Sequence, residues 1–268
     1  MCGIAGVYGY NALRLSLLIT LGQLSRGTQG TGIAWLDNNK IRILKEPIHP
    51  IKFVKKHYHK LDSKIRVAIA HNRQPSRGNV SYYNTHPFMS CRRQFALIHN
   101  GTCLINHHLV SKIKRKHKIL GDTDSEIVCH MLEEFYDEYG DMVSAIEELF
   151  TTDFSGAILV ITKDGRIFGA KKSWAPLHYA KADNHVFLAS EASAINSVLD
   201  HDAEIFALKS KQIIEVHQGS IRVHGEGEDV PQIKYYVSSY YYAPRKASYP
   251  YAPWAYDWDF EWGGYQEL

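Results

Sequence analysis

The sequence predicts an α+β fold in which two β-sheets pack together and helices cover their outer faces. Short strand-like runs and amphipathic helical segments alternate from residue 2 to about residue 225. The strand-like runs form two clusters that flank a helical block, an order typical of a layered α+β domain. With 268 residues, of which 45% are hydrophobic, the chain is long and apolar enough to bury a core.

Each element of this fold follows from a local pattern, taken here in chain order. In the first part of the chain, the pattern predicts one helix at 12–25. It also predicts five strands, at 2–9, 32–36, 40–44, 65–71 and 95–100. The middle predicts three helices, at 105–118, 124–139 and near 142–149. In the remainder, the pattern predicts four strands at 155–163, 166–172, 177–182 and 185–190. A short helix is predicted from about residue 191, and a hairpin is predicted across 204–225.

A change of composition near Pro231 divides the chain into two parts. Residues 231–268 contain 9 of the 17 tyrosines, 3 of the 5 tryptophans and 4 of the 9 prolines, without a helical or alternating period. We therefore expect a domain at 1–230 and a Tyr/Trp/Pro-rich C-terminal tail at 231–268. Because aromatic side chains are enriched in interfaces, the tail is expected to wrap onto the domain or to bind a partner.

Charge and hydropathy exclude several classes of protein. Lys and Arg number 31 against 28 Asp and Glu, a formal net charge of +3, whereas a dedicated nucleic-acid binder normally has a strong basic excess. The basic run at 107–118 is interpreted as a solvated helix face. The apolar run at 13–24 is too short and too interrupted by polar residues to span a membrane, and no basic segment precedes it as in a signal peptide.

The cysteines add a constraint on metal sites and on the cellular compartment. Cys2, Cys91, Cys103 and Cys129 form no CxxC pair and show no regular spacing. The spacing therefore indicates neither a zinc site nor a disulfide framework. We expect no metal and no cofactor, and the absence of a disulfide pattern favours a reducing, cytoplasmic location.

Cys2 has two interpretations. A free cysteine at the edge of a first strand is usually a small buried residue. Removal of Met1 would instead leave a residue with both a thiol and a free α-amine, whose ordinary pKa is about 7.7–8.0. Such an amine can act as the general base for the thiol beside it, and Cys2 would then be an N-terminal nucleophile.

Five short polar motifs lie between the predicted elements, and each has an ordinary structural explanation. They read RGTQGTG (26–32), HNRQPSRG (71–78), NTHPF (84–88), HNG (99–101) and DTDSE (122–126). Taken singly, they are explained as a helix cap and turn, a basic surface loop, a hairpin-like turn or a helix start. Together with Cys2 they form an ordered set of six, which is far more specific than any one of them.

This ordered set resembles class II glutamine amidotransferase domains of the N-terminal-nucleophile (Ntn) hydrolase superfamily, such as the glutaminase modules of glutamine phosphoribosylpyrophosphate amidotransferase and glucosamine-6-phosphate synthase. The resemblance covers residues 2 to about 220. It implies a four-layer αββα sandwich of two antiparallel sheets and an enzyme that releases ammonia from glutamine. By this resemblance Cys2 is the nucleophile, and the Asn100 side chain and the Gly101 backbone N–H form the oxyanion hole.

The resemblance also implies residues that bind the substrate and support the site. Arg73 suits the α-carboxylate of glutamine because its guanidinium can engage both oxygens, and Ser76 can donate its hydroxyl to the same group. Asp124 suits the α-ammonium. Arg26 is expected to support the N-terminal strand and the active-site loop, and His86 to pack and hydrogen-bond beneath that loop.

Two positions depart from the family's pattern. An aromatic residue often follows the arginine of the His-x-Arg motif, where this chain has Gln74, and Arg77 stands where the synthase branch has a His. The lid over glutamine is therefore expected to close less tightly, or to be completed by other groups such as the tail. No acceptor domain is recognisable in the 268 residues, so ammonia is expected to pass to an acceptor or synthetase protein on a separate chain.

Two alternative functions stay open on the sequence. One is an amidase for another small amide, which would retain Cys2 but use Arg73 and Asp124 differently. The other is a glutamine-sensing or partner-docking module with weak turnover or none. Neither a nucleic acid nor a membrane is expected as a partner, and formation of a homo-oligomer is left open.

Overall fold

Two antiparallel sheets lie face to face in the computed structural model, which describes residues 1–76, 78–104, 107–199 and 203–228. Within these ranges the strands are β1 (Gly3–Tyr8), β2 (Thr31–Asp37), β3 (Lys40–Glu46), β4 (Val67–Asn72), β5 (Phe88–Met89), β6 (Phe95–Cys103), β7 (Phe154–Thr162), β8 (Ile167–Lys172), β9 (His178–Ala182), β10 (His185–Ala189), β11 (Ile205–Ala207), β12 (Gln212–His217) and β13 (Ser220–His224). The α-helices are α1 (Ala12–Gly22), α2 (Pro50–His57), α3 (His107–Lys116), α4 (Asp124–Tyr139), α5 (Met142–Thr151) and α6 (Ala192–Asn196).

Strand order determines which chain segments meet. The first sheet runs β11-β9-β10-β1-β4-β2-β3, and the second runs β13-β12-β8-β7-β6-β5. In the first sheet β1 and β4 are antiparallel, with Gly3 opposite Asn72. The start of β1 therefore lies beside the end of β4, so the loop that follows Asn72 begins next to Cys2.

Three apolar layers hold the sheets and helices together. On β1 the side chains alternate, with Ile4 in the layer between the two sheets and Ala5 and Val7 in the layer under the helices. Helices α1 and α6 cover the outer face of the first sheet, and α4 and α5 cover that of the second. The arrangement confirms the αββα sandwich of two antiparallel sheets.

Helix α4 has the bounds that the sequence predicts, because both of its ends carry capping residues. The Thr123 hydroxyl accepts a hydrogen bond from the Glu126 backbone N–H at 3.3 Å. Gly140 ends the helix with a φ of 68°, a left-handed conformation that suits glycine. Asp124 is thereby fixed as the first residue of the helix.

The structure differs from the sequence prediction in some local elements. The first helix stops at Gly22 and is followed by a short 3-10 turn at Leu24–Arg26, and β6 continues to Cys103. Helix α2 and strand β5 were not predicted. Helix α2 has eight residues and β5 has two, so both are too short to display a sustained periodic apolar pattern.

Part of the sequence prediction lies outside the described residues. These positions are the tail at 231–268, Arg77 and the first two residues of the helix predicted at 105–118. The domain boundary at residue 230 therefore stays a prediction. In the described part of the chain, no helix combines the length and the apolar character that a membrane crossing requires.

Candidate active site

Cys2 stands directly before β1, in the centre of the first sheet, and is half-buried. Its Sγ accepts a hydrogen bond from the Gln74 backbone N–H at 3.4 Å and donates to the Gln74 carbonyl oxygen at 3.6 Å. Burial raises the pKa of the Cys2 thiol, while the Gln74 hydrogen bond and the charges of Arg73 and Arg26 act in the opposite direction. A thiol with a raised pKa is protonated at neutral pH and needs a base before it can attack.

Asn100 reaches Cys2 from the opposite sheet. It lies within β6, and its Oδ1 accepts a hydrogen bond from the Cys2 backbone N–H at 3.1 Å. Asn100 is 1% exposed, and its Nδ2 is buried without a hydrogen-bond partner in the described part of the chain. Because buried amide groups are nearly always paired, this unused donor points to a ligand that accepts a hydrogen bond beside Cys2.

Gly101 follows Asn100 at a point where β6, β7 and a histidine ring crowd together. A Cβ on Gly101 would lie 2.2 Å from the Ser155 carbonyl oxygen and 2.5 Å from His99 Nε2. Gly101 also lies opposite Gly156 in the strand register. Glycine is thus required here by packing, independently of the role that its N–H has in the predicted oxyanion hole.

Arg73 begins the loop after β4 and is 2% exposed. Its Nη1 donates to the Asn79 carbonyl oxygen at 2.7 Å, and its Nη2 donates to the Gly78 carbonyl oxygen at 3.3 Å. The guanidinium is close enough to Cys2 for its charge to lower the pKa of the thiol. A buried cation therefore stands near the predicted nucleophile, whereas Ser76 on the same loop is exposed.

Asp124 joins the start of α4 to the end of β6. Its Oδ2 accepts a hydrogen bond from the Cys103 backbone N–H at 2.9 Å, and the residue is 7% exposed. Its charge also acts on the neighbouring His99, for which burial is the larger influence and lowers the pKa. Asp124 thus supplies a buried negative charge on the side of the site formed by β6.

Arg26 supports the strand that carries Cys2. Its Nε donates to the Cys2 carbonyl oxygen at 2.8 Å, and its Nη1 forms an ion pair with Glu191 Oε1 at 3.4 Å. Arg26 is 7% exposed, so these contacts lie within the protein. They hold the backbone at Cys2, whereas the thiol is held by Gln74.

His86 is buried and packs against aromatic rings, but no described residue forms the predicted hydrogen bond with it. Its ring stacks on His71 with 3.9 Å between centroids and meets Phe88 edge-on at 4.7 Å. Neither ring nitrogen of His86 has a hydrogen-bond partner among the described residues. Burial lowers the pKa of His86 well below its usual range and that of His71 to about 3, so both rings are neutral at physiological pH.

Asn84 is the residue that the sequence analysis missed. Its Nδ2 donates to Asp122 Oδ1 at 2.5 Å and to the Asn79 carbonyl oxygen at 3.2 Å, and its Oδ1 accepts from the Asp122 backbone N–H at 3.0 Å. One buried amide thus ties the loop of Arg73 to the loop that leads to Asp124. The signal was an asparagine within the NTHPF motif, where a role was assigned only to His86.

Comparison with known proteins identifies the family. A family model described as class-II glutamine amidotransferases matches residues 12–175, so the match begins after Cys2. Glutamine--fructose-6-phosphate aminotransferase (isomerizing) from Aquifex aeolicus is 29% identical over 86% of this chain, and the matched part is 39% of that protein. The chain therefore spans about two fifths of the length of this curated relative.

Solved structures show the same fold. The glutamine phosphoribosylpyrophosphate amidotransferase from B. subtilis superposes with a TM-score of 0.71 at 20% identity, over 83% of this chain and 49% of that one. A glutamine aminotransferase class-II domain protein from Silicibacter pomeroyi superposes with a TM-score of 0.55 at 15% identity, over 83% of this chain and 98% of that one. With the family model matching more than half of its residues, the chain belongs to the class-II glutamine amidotransferases.

Proposed function

We propose that this chain hydrolyses the side-chain amide of glutamine with Cys2 as the nucleophile and supplies the ammonia to an acceptor on a separate chain. The observation that carries the proposal is the Asn100 amide. Its oxygen is held by the Cys2 backbone at 3.1 Å, and its buried Nδ2 has no hydrogen-bond partner in the described part of the chain. A fixed, unused donor beside a nucleophilic sulfur is the arrangement that stabilises the oxyanion of acyl transfer.

The proposed reaction has two steps. Cys2 Sγ attacks the amide carbon of glutamine, its proton passes to the α-amine left by removal of Met1, and the carbonyl oxygen becomes an oxyanion held by Asn100 Nδ2 and the Gly101 N–H. Collapse of this intermediate breaks the C–N bond, and the amine returns the proton to the departing ammonia. Water then attacks the thioester, which releases glutamate and restores the thiol.

The two charges at the other end of glutamine have proposed partners. Arg73 is a buried cation near Cys2, and Asp124 is a buried carboxylate at the start of α4. In this proposal Arg73 binds the α-carboxylate and Asp124 the α-ammonium, which selects a free amino acid over a peptide. The exposed Ser76 would contact the carboxylate only when its loop covers the substrate.

The test measures ammonia and glutamate released from glutamine by protein shown by mass to have lost Met1, with Cys2→Ala as the matched control. Equal amounts of the two products, absent in the control, support the proposal. Asparagine and simple primary amides are assayed beside glutamine. Turnover of these amides in preference to glutamine would favour an amidase of different specificity. Saturable binding of glutamine without turnover would favour a sensing module.

A further inference from the structure

We propose that Cys91, His117, His130 and Glu133 bind one zinc ion at a site separate from the active site. Cys91 lies in the turn between β5 and β6, His117 directly follows α3, and the other two residues lie on α4. The four ligand atoms lie within 4.8 Å of one another. Cys2 is not part of this group. The four residues lie on the helix-covered side of the second sheet.

The spacing of the ligand atoms matches a zinc tetrahedron. Bonds of about 2.0–2.3 Å to sulfur, nitrogen and oxygen separate the ligands of a tetrahedral zinc ion by about 3.3–3.6 Å. The structure has 3.8 Å from Cys91 Sγ to His130 Nδ1, 3.3 Å from His130 Nδ1 to Glu133 Oε2 and 3.2 Å from His117 Nδ1 to the same oxygen. Since all four ligand atoms lie within 4.8 Å of one another, side-chain shifts of up to about 1 Å bring them to tetrahedral spacing.

The orientation of His117 is an independent indication of a cation. Its Nε2 lies 3.0 Å from Glu134 Oε1, a carboxylate that accepts the proton of this nitrogen. Its Nδ1 faces Glu133 Oε2 at 3.2 Å, and this buried nitrogen has no hydrogen-bond partner in the described residues. Either a proton on this nitrogen or a metal ion shared with Cys91 and His130 accounts for the contact, and the four-donor group favours the metal ion.

The surroundings have the features of a zinc site beyond its ligands. The carboxylate of Glu134 on the far nitrogen of His117 is the second-layer contact that orients ligating histidines. Glu133 is held in place, since its Oε2 and Oε1 accept the backbone N–H groups of Cys91 at 2.8 Å and Arg92 at 2.9 Å. Cys91 is exposed, and a cavity of about 660 Å³ lined by Cys91 and His130 gives an ion a path to the site.

The ligand types favour zinc over other common ions. One thiolate, two imidazoles and one carboxylate suit a borderline-soft, tetrahedral ion, whereas calcium and magnesium prefer oxygen ligands alone. Binding converts the Cys91 thiol to a thiolate and releases its proton to solvent. The thiolate and Glu133 together neutralise the two charges of the ion. Four protein ligands leave no open position, so the site is structural and ties α3 to α4.

The test titrates Co²⁺ into metal-free protein carrying Cys2→Ala, which removes chelation by an N-terminal thiol and amine. We expect one equivalent to bind, with the intense visible bands of tetrahedral cobalt and a thiolate charge-transfer band in the near ultraviolet. Zn²⁺ should displace the cobalt and raise the melting temperature. Adding Cys91→Ser should remove the thiolate band, and adding Glu134→Gln should weaken binding by about 10–100-fold.

Two comparisons keep the result interpretable. His217→Gln removes an exposed histidine elsewhere in the chain and should leave cobalt binding unchanged. Cys91→Ser alters an exposed side chain, so its fold can be verified by circular dichroism even where changes at the buried histidines unfold the protein. Failure to bind cobalt, or tetrahedral bands that persist unchanged in folded Cys91→Ser protein, would overturn the proposal.

Discussion

At the scale of single residues, the Asn100 amide is held on one side only. Its oxygen fixes the backbone of Cys2, and its nitrogen faces no partner in the described residues. A side chain used in this way is oriented before the substrate arrives, so no reorganisation is needed when the oxyanion forms. We therefore expect the Asn100 side chain to contribute to the chemical step more than to substrate binding.

Replacement of Asn100 should therefore act on the chemical step. We expect Asn100→Ala to lower kcat by about 10²–10³-fold, or about 2.7–4 kcal/mol, with little change in KM, because the lost contact forms only in the transition state. Asn100→Asp keeps an oxygen for the Cys2 N–H but loses the donor, so it should be impaired as well. Steady-state kinetics on glutamine measure both. A rise in KM with unchanged kcat would remove Asn100 from the oxyanion hole.

Cys2 yields a prediction about processing as well as about its thiol. Burial raises the pKa of the thiol, so attack at neutral pH depends on a base, and the proposed base exists only after Met1 is removed. Protein that retains Met1, made in cells with methionine aminopeptidase inhibited, should lose glutamine hydrolysis as completely as Cys2→Ala. The mass of each preparation is measured beside its rate of glutamate release. Full activity in the Met1-bearing form would contradict this mechanism.

At the scale of elements, Asn84 holds together loops that carry different parts of the site. Its amide contacts Asp122 on the segment before α4 and Asn79 on the loop of Arg73. Asp122 is 38 residues away from Asn84 in the sequence, so this contact joins two loops that are distant along the chain. The spacing between Arg73 and Asp124, and hence their joint grip on the two charges of glutamine, should depend on this amide.

Asn84→Ala should weaken substrate binding more than it slows chemistry. Each buried group left without its partner costs about 1–3 kcal/mol, so we expect lower thermal stability and a KM for glutamine raised about 10-fold. Asn196→Ala removes a partly exposed amide at the end of α6, away from these loops, and serves as the matched control. A kcat reduced to the same extent as in Asn100→Ala, with KM unchanged, would show that Asn84 acts elsewhere.

The elements also show what local sequence can and cannot predict. Helix α4 was predicted with its bounds because Thr123 and Gly140 cap it, and both signals lie within the segment itself. Helix α2 was missed because it has only eight residues, and its buried positions Pro50, Phe53 and Val54 span little more than one turn. Its position depends on packing against the first sheet, which no local window contains.

The candidate active site likewise contains residues that the sequence predicts and contacts that it does not predict. Cys2, Arg73, Asn100 and Asp124 stand in motifs whose order can be recognised along the chain. The hydrogen-bond partners of Asn84 cannot be recognised in this way, because they depend on how two loops pack against each other. The lack of a hydrogen-bond partner for His86 among the described residues likewise depends on its surroundings, where its ring stacks on that of His71.

At the scale of the whole molecule, the antiparallel order of the first sheet assembles the site from distant segments. Pairing of β1 with β4 sets Cys2 beside Arg73, and packing of the second sheet adds Asn100 from β6. The zinc ligands come together for a similar reason, from a turn and two helices that cover the second sheet. Cysteine spacing alone predicted no zinc site because only one of the four ligands is a cysteine.

The last prediction concerns the tail at 231–268, which we expect to dock a partner or to cover an apolar face without a part in the chemistry. Every residue proposed to react with or bind glutamine precedes residue 125, and the described fold ends with Glu228, which is bridged to Ser210 and paired with Lys211. A chain that ends at Val230 should keep Cys2-dependent hydrolysis within a factor of about two, while it becomes less soluble or no longer associates with its acceptor protein. Glutamate release, circular dichroism and sedimentation measure these properties in the shortened and full chains. If the shortened protein stayed folded but hydrolysed no glutamine, the tail would have to supply part of the active site, such as the aromatic lid that Gln74 does not provide.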